Sequence, residues 1–332
     1  LITTFGCQAN TADSEKTAVI MESVGFAPAK NMAELLNGKN PVLIFNTCSV
    51  RQKAEDRVFG LNRKLEELKN KNLKLKIILT GCMTHYGKDE LNKRLPFFDH
   101  FIDIKNIAKL KKILGHVRPA TSDLPRRTSA LIPISNGCDN FCAYCIVPLA
   151  RGREISRLAL NIINDVKKAV EGGAKEIWLL GQTVNSYKNN DIKFHNLLRL
   201  VNDIPGDFWI RFTSPHPKDF SDELIKAMAE CEKFAHYINL PVQSGNNIIL
   251  KKMGRPYTVD HYKKLIQKIR KAMPDIAIST DIIVGFPGET RNQFEDTKKL
   301  FKEIKFDMAF ISEYSPRPKT AAAKLFKDNV SS

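Results

Sequence analysis

The chain has 332 residues, 43% of them hydrophobic and 27% charged, which describes a globular protein with room for two domains and excludes a disordered one. No apolar run approaches the roughly 18 residues of a membrane span, and seven cysteines in a long, core-forming chain do not describe a secreted disulfide framework, so the cytoplasm is the expected compartment. A net charge of +16 is large for an enzyme of small neutral metabolites and suits a polyanion such as RNA or DNA, although the solvated stretch 62–76 accounts for part of the excess.

In chain order, strand-length runs of β-branched and aromatic residues lie at Leu1–Phe5, Val42–Phe45, Ile77–Thr80 and, more weakly, Phe98–Ile102. Helical patterns separate or follow them at Ala12–Val24, Ala54–Lys69, Asp89–Arg94 and Ile107–Leu114. This alternation predicts an α/β domain over 1–118, with a parallel sheet of Rossmann or flavodoxin type covered on both faces. Residues 116–129 (HVRPATSDLPRRTS) carry no apolar periodicity and predict a linker over 119–129. A second series fills 130–332. Its strands are predicted at Leu131–Ser135, Ile177–Leu180, Trp209–Thr213, Tyr237–Leu240, Ile276–Val284 and Met308–Tyr314. Its helices are predicted at Asn161–Val170, Phe194–Val201, Asp222–Glu230, Tyr262–Met273 and Gln293–Lys302. Six βα repeats of this kind predict a partial, TIM-like (βα)6 barrel, whose site is expected at the carboxyl ends of its strands.

The cysteines fall where such sites form. Cys138, Cys142 and Cys145 make a CxxxCxxC run just after the first barrel strand, with no nearby cysteine or histidine to complete a zinc tetrad. Three thiolates on a cubane iron–sulfur cluster leave one iron open to a small molecule. Cys7, Cys48 and Cys82 each follow directly on a predicted strand of the first domain, so they should emerge along one sheet edge, where ligands bind. Three such placements predict a second three-cysteine cluster, against the alternative of buried cysteines acting as small hydrophobes. Cys231 lies in a helical pattern and is expected to pack in the core. Tyr144 is expected over the cluster or an adenine, or as a plain packing tyrosine. Gln182 and Gln243 end barrel strands and read as ligand contacts or loop caps. Gly285, in the GFPG turn, allows close backbone approach to a ligand or makes a tight turn. Arg151, Arg153 and Arg157 could meet phosphates, a carboxylate, or surface salt-bridge partners. His85 and His216 lack metal-ligand spacing.

On these residues the chain resembles the methylthiotransferases, a radical S-adenosylmethionine (SAM) family. The resemblance runs through TFGCQANTADSE (4–15), NTCSVRQKAED (46–56), GCDNFCAYCIVP (137–148) and LLGQTVNSY (179–187). It continues through RFTSPHPKDF (211–220), LPVQSGNN (240–247), DIIVGFPGET (281–290) and YSPRPKTAAA (314–323). It implies a SAM-binding 4Fe–4S cluster on Cys138, Cys142 and Cys145, and an auxiliary, sulfur-supplying 4Fe–4S cluster on Cys7, Cys48 and Cys82. SAM contacts are expected at Tyr144, Gln182, Gln243 and Gly285. The branch it most resembles acts on tRNA, replacing the hydrogen at carbon 2 of N(6)-dimethylallyladenosine beside the anticodon with a methylthio group. Sister branches act on threonylcarbamoyladenosine in tRNA or on a ribosomal protein; outside the family, an iron–sulfur nucleic-acid-binding sensor is the competing class. The resemblance also implies an electron donor such as flavodoxin or ferredoxin, a monomer, and no membrane. Leu149 and Ala150 depart from the family's usual aromatic and threonine. Because the chain begins inside a strand and stops soon after YSPRP, a few leading residues and the family's small C-terminal RNA-binding barrel are expected to be missing.

Overall fold

The computed structural model describes residues 1–50, 52–115 and 128–330, and the chain divides into two compact units. The first takes Leu1–Pro125 together with Leu149–Arg151; the second takes Arg126–Pro148 and Gly152–Ser332. Residues 119–127 of the expected linker lie outside the described residues, and Ser129 already opens a strand.

In the first unit, strands β1 (Ile2–Phe5), β2 (Val42–Thr47), β3 (Lys76–Gly81) and β4 (His100–Ile102) pair in parallel in that order. Successive side chains of a strand point to opposite faces, and both faces of β2 are covered: all six of its residues are buried. Leu43 and Phe45 join Ile77 and Leu79 in one core, together with residues of α2 (Met32–Leu36), α3 (Gln52–Phe59), α4 (Asn62–Lys71) and α5 (Lys88–Arg94). Val42, Ile44 and Ile78 face the other way, toward Met21 of α1 (Gln8–Ser23) and Leu110 of α6 (Leu110–Leu114). Each such buried aliphatic side chain contributes about 1.5–3 kcal/mol.

The second unit carries six parallel strands in chain order: β5 (Ser129–Pro133), β8 (Glu176–Leu180), β11 (Trp209–Phe212), β12 (Tyr237–Asn239), β13 (Ala277–Val284) and β14 (Met308–Glu313). The parallel bridge Ile210↔Phe234 joins β11 to the segment entering β12. Two antiparallel pairs decorate the series, β6 (Ser135–Asn136) with β7 (Ile155–Ser156) and β9 (Lys188–Asn189) with β10 (Ile192–Lys193). The helices are α7 (Val147–Arg151), shared with the first unit, α8 (Ala159–Glu171), α9 (Phe194–Asn202), α10 (Asp222–Glu230), α11 (Asn247–Lys252), α12 (Val259–Ala272), α13 (Arg291–Ile304) and α14 (Ala321–Leu325). Hydroxyl and amide caps fix where several begin. Ser221, Asn246, Thr258, Thr290 and Thr320 each accept a first-turn amide of the helix that follows, satisfying donors that helix starts leave open. The strand-to-helix loops are thereby held at set lengths, which positions what they carry.

Boundaries differ from expectation where side-chain pattern is weak. α1 starts at Gln8, four residues before the predicted start, where the Asn10 side chain reaches back to accept from the Cys7 amide (3.4 Å) in a polar first turn. The predicted helix over 54–69 breaks at Gly60 into α3 and α4. The one over 107–114 is a 3-10 segment, Ile104–Lys109, followed by α6. Ser135 has left the first barrel strand for the β6–β7 pair, and α2, α7, α11 and α14 carried too few apolar repeats to be read.

Candidate functional site

In the first unit, Cys7, Cys48 and Cys82 all sit at the carboxyl edge of the sheet, just beyond β1, β2 and β3. Two buried amides tie the first two turns together: Asn10 Nδ2 donates to Asn46 Oδ1 (2.9 Å), and Asn46 Nδ2 returns to Asn10 O (2.8 Å) and Ser14 Oγ (2.9 Å). Gly81, before Cys82, has φ +90, and an added Cβ would stand 2.7 Å from Thr47 O, so only glycine lets the third turn approach the second. The thiols are in mutual contact. Hydrogen bonds with Cys48 lower Cys7 to about 5 and Cys82 to about 7, while Cys48, lying between them, is pushed up. Arg151, 4% exposed, donates from Nε to Cys82 Sγ (3.3 Å) and from Nη2 to Asp13 Oδ2 (2.7 Å). Burial works against its charge, but Cys82 and Asp13 outweigh burial and hold the guanidinium protonated. Thr47 Oγ1, Ser49 Oγ and Thr80 Oγ1, beside these cysteines, are buried with no hydrogen-bond partner among the described residues. His85 turns its Nδ1 to the Cys82 carbonyl (2.8 Å) and its ring onto Tyr86.

In the second unit, the loop from Gly137 to Cys145 leaves the β6 end of the β6–β7 pair. Gly137 has φ +87, and a Cβ there would fall 2.1 Å from Arg153 O. The loop is held by its backbone: Gly137 N donates to Gln182 Oε1 (2.6 Å), Cys138 N to Gly152 O (3.0 Å), Ala143 N to Met253 O (2.9 Å) and Cys145 N to Cys142 O (2.9 Å). Asn140 N points at Cys138 Sγ (3.4 Å), and Thr183 Oγ1 lies 3.4 Å from the same sulfur. Burial first, then the Cys142 charge, pushes the Cys145 thiol up to about 12, and it also feels Cys138. The loop therefore brings its three thiols into electrostatic contact. Among the described residues no three His, Cys, Asp or Glu surround a single ion position. Cysteines on a cubane bind different irons, so both sets match that donor chemistry and the sulfur-only ligation it uses.

Around the second set stand Arg255 and Tyr257, which sequence reading did not single out. Arg255 donates from Nη1 to Cys142 Sγ (3.5 Å), from Nε to Tyr257 OH (2.8 Å) and from Nη2 to Pro241 O (3.1 Å). Tyr257 lies against the His216 ring at 5.7 Å, and burial, then Arg255 and Lys218, lowers His216 to about 2, keeping it neutral. A lone arginine in MGRPYT carries no spacing signal; only its glycine and proline neighbours mark it as a turn. Of the expected SAM contacts, Gln182 caps the cysteine loop, and Tyr144 packs by Ile249, Met253 and Phe286. Gln243 takes φ +72 and pairs with β13, its buried Oε1 without a partner among the described residues, as are Ser135 Oγ and His216 Nε2. Gly285 has φ +69 and its amide donates to Glu289 Oε2 (2.7 Å). The three arginines read as meeting either anions or salt-bridge partners are each ion-paired: Arg151 to Asp13, Arg153 to Asp139 and Arg157 to Asp165. Cys231 follows α10 as its C-cap and is buried in the barrel core.

Comparison with known proteins gives the following likenesses. Residues 132–301 match the radical SAM superfamily, and residues 1–103 match an uncharacterized protein family, UPF0004. The chain is 44% identical to the tRNA-2-methylthio-N(6)-dimethylallyladenosine synthase of Clostridium novyi (strain NT), over 98% of this chain and 76% of that one. To the synthase of the same name from Endomicrobium trichonymphae it is 42% identical, over 99% and 79%. In fold it is similar to the radical SAM methyltransferase TsrM from Kitasatospora setae, solved with cobalamin and a [4Fe–4S] cluster bound (TM-score 0.68, 15% identity, 88% of this chain and 67% of that one). It is also similar to the cobalamin-dependent SAM radical enzyme OxsB (TM-score 0.61, 12% identity, 97% and 54%).

Proposed function

We propose that this chain, which belongs to the radical SAM methylthiotransferase family, places a methylthio group on carbon 2 of N(6)-dimethylallyladenosine in tRNA. The observation that carries this reading is the pair of three-cysteine sets, each held at a sheet edge within its own unit, in a chain 44% identical to a synthase of that name. Membership of the radical SAM superfamily implies a 4Fe–4S cluster and SAM. Cys138, Cys142 and Cys145 would hold that cluster, and Cys7, Cys48 and Cys82 a second one. When bound, the first supplies the electron that cleaves SAM to a 5′-deoxyadenosyl radical, and the second supplies sulfur. An aromatic C–H without an acidic proton needs such a cofactor, because protein side chains offer no radical of that reactivity.

The chain's own residues supply position and environment. The Asn10–Asn46 pair and Gly81 hold three turns together, so the sulfurs are set before any metal arrives. Hydrogen bonds to Cys48 lower Cys7 and Cys82 toward the thiolates that metal ligation requires, while Cys48 between them is pushed up and would give up its proton only on ligation. Gln182 and Thr183 steady the cysteine loop, and Tyr144, Gln243 and Gly285 would line the SAM site. In this reading 1–118 carries the auxiliary cluster and 130–332 the SAM chemistry. The net charge of +16 supports attraction to tRNA, and a small electron-transfer protein such as flavodoxin or ferredoxin would reduce the enzyme. No described helix is long and apolar enough to cross a membrane; the reading is of a cytoplasmic monomer.

Nucleoside mass spectrometry of tRNA from cells lacking the gene tests the proposal. Loss of the methylthiolated prenyl-adenosine, restored by the wild-type gene, is expected. Its persistence, with loss of methylthiolated threonylcarbamoyladenosine instead, would move the chain to the sister branch.

A further inference from the structure

Both cysteine sets contain one buried arginine that donates to one sulfur, Arg151 to Cys82 and Arg255 to Cys142. Their remaining partners differ. Arg151 also meets the Asp13 carboxylate at 2.7 Å. Arg255 gives its other hydrogen bonds to neutral oxygens, Tyr257 OH and Pro241 O, and among the described residues no ion pair with a carboxylate is formed by it. The carboxylate it feels from farther away, Asp219, has Lys218 at 3.8 Å. Tyr144 and Tyr257, its other neighbours, are kept neutral by burial. Arginine does not give up its proton, so a whole positive charge remains at a residue only 7% exposed. An uncompensated charge in such a place is strongly unfavourable. The neighbouring group able to carry the missing negative charge is the Cys142 sulfur, together with whatever that sulfur ligates.

We infer that Arg255 is the counter-cation of the SAM-binding cluster, a positioning residue that acts through Cys142 to favour the cluster's reduced state. The inference rests on the proposed ligation by Cys138, Cys142 and Cys145. A cluster that takes one electron from a low-potential one-electron donor gains one negative charge, and net charge and hydrogen bonds to sulfur are what set such potentials. A guanidinium with no carboxylate of its own opposes that gain least. The Cys82 site, whose arginine is already neutralised by Asp13, has no such bias.

The test is a dithionite redox titration of the anaerobically reconstituted enzyme followed by electron paramagnetic resonance, reading the signal that changes when SAM is added. In Arg255→Gln the oxidised-to-reduced ratio of that signal at a fixed potential should rise about tenfold, a shift of about 59 mV to the negative for a one-electron couple. Arg255→Lys should bring it back toward wild type, and the SAM-insensitive signal should not move in either. An unchanged ratio in a Gln variant with its full iron content overturns the inference. If the Gln variant fails to retain iron, the Lys variant decides: retention with a near wild-type potential supports the counter-charge, and loss of iron there too makes Arg255 a packing residue against Tyr257 and overturns it. A wild-type protein with no SAM-responsive signal would instead sink the functional reading, a separate outcome.

Discussion

The two cysteine sets are brought together by opposite routes. Cys7, Cys48 and Cys82 come from three successive strand ends, each a whole βα unit from the next, so their meeting depends on the sheet being assembled. Cys138, Cys142 and Cys145 share one loop, so their meeting depends on what grips that loop: Gln182, Gly152, Met253 and Thr183. A site dispersed in sequence is stabilised by the fold and should fail with it. A local site is stabilised by a handful of hydrogen bonds and should fail alone.

That contrast can be broken most severely at the proposed ligands. Cys142→Ala should lose about four irons per chain and bring 5′-deoxyadenosine formation to background. Cys48→Ala should lose a similar amount of iron yet keep 5′-deoxyadenosine formation, with no methylthiolated product. Iron assay and chromatography of the reaction check both, and retention of product by Cys48→Ala would remove the first set from the chemistry. Next come the glycines. Gly81→Ala forces a side chain into φ +90 and against Thr47, which should cost about 3 kcal/mol and shift the global denaturation midpoint. Gly137→Ala is the tighter clash, against Arg153 O, but should release iron from the loop while the barrel keeps most of its unfolding enthalpy. Equal calorimetric effects would erase the contrast. Smaller is Asn46→Leu, which strands the Asn10 amide in a buried site and should destabilise the first unit by about 1–3 kcal/mol, measured by urea unfolding, without loss of the SAM-responsive signal. Smallest is Asp13→Asn: freeing Arg151 of its carboxylate should raise the reduced fraction of the SAM-insensitive signal, by no more than about tenfold at a fixed potential.

Much of this was legible in the sequence. Strand runs such as VLIFNT and AISTDIIV announce themselves by β-branched and aromatic composition, and the ends of the first three strands give the positions of Cys7, Cys48 and Cys82, while CxxxCxxC spacing alone groups Cys138, Cys142 and Cys145. Helix starts were less legible where the first turn is polar: at Gln8–Thr11 no apolar repeat marks the turn, and the bond from the Cys7 amide back to the Asn10 side chain leaves no hydrophobic pattern. Asn46, Arg151 and Arg255 were not assigned their roles, because each acts through a partner distant in sequence. Asn46 needs Asn10, Arg151 needs Asp13, and Arg255 needs Cys142. Pattern reports which face a residue takes, not which single atom it meets.

Leu149–Arg151 belongs to the first unit although the chain on either side of it belongs to the second. Severing the chain once between residues 115 and 128 would leave Asp13 and Cys82 on one fragment and Arg151 on the other, so the amino-terminal fragment expressed alone would be short of a buried cation. Dissecting this protein therefore takes two cuts and a graft, and any exchange of its first unit between relatives must carry that three-residue segment along.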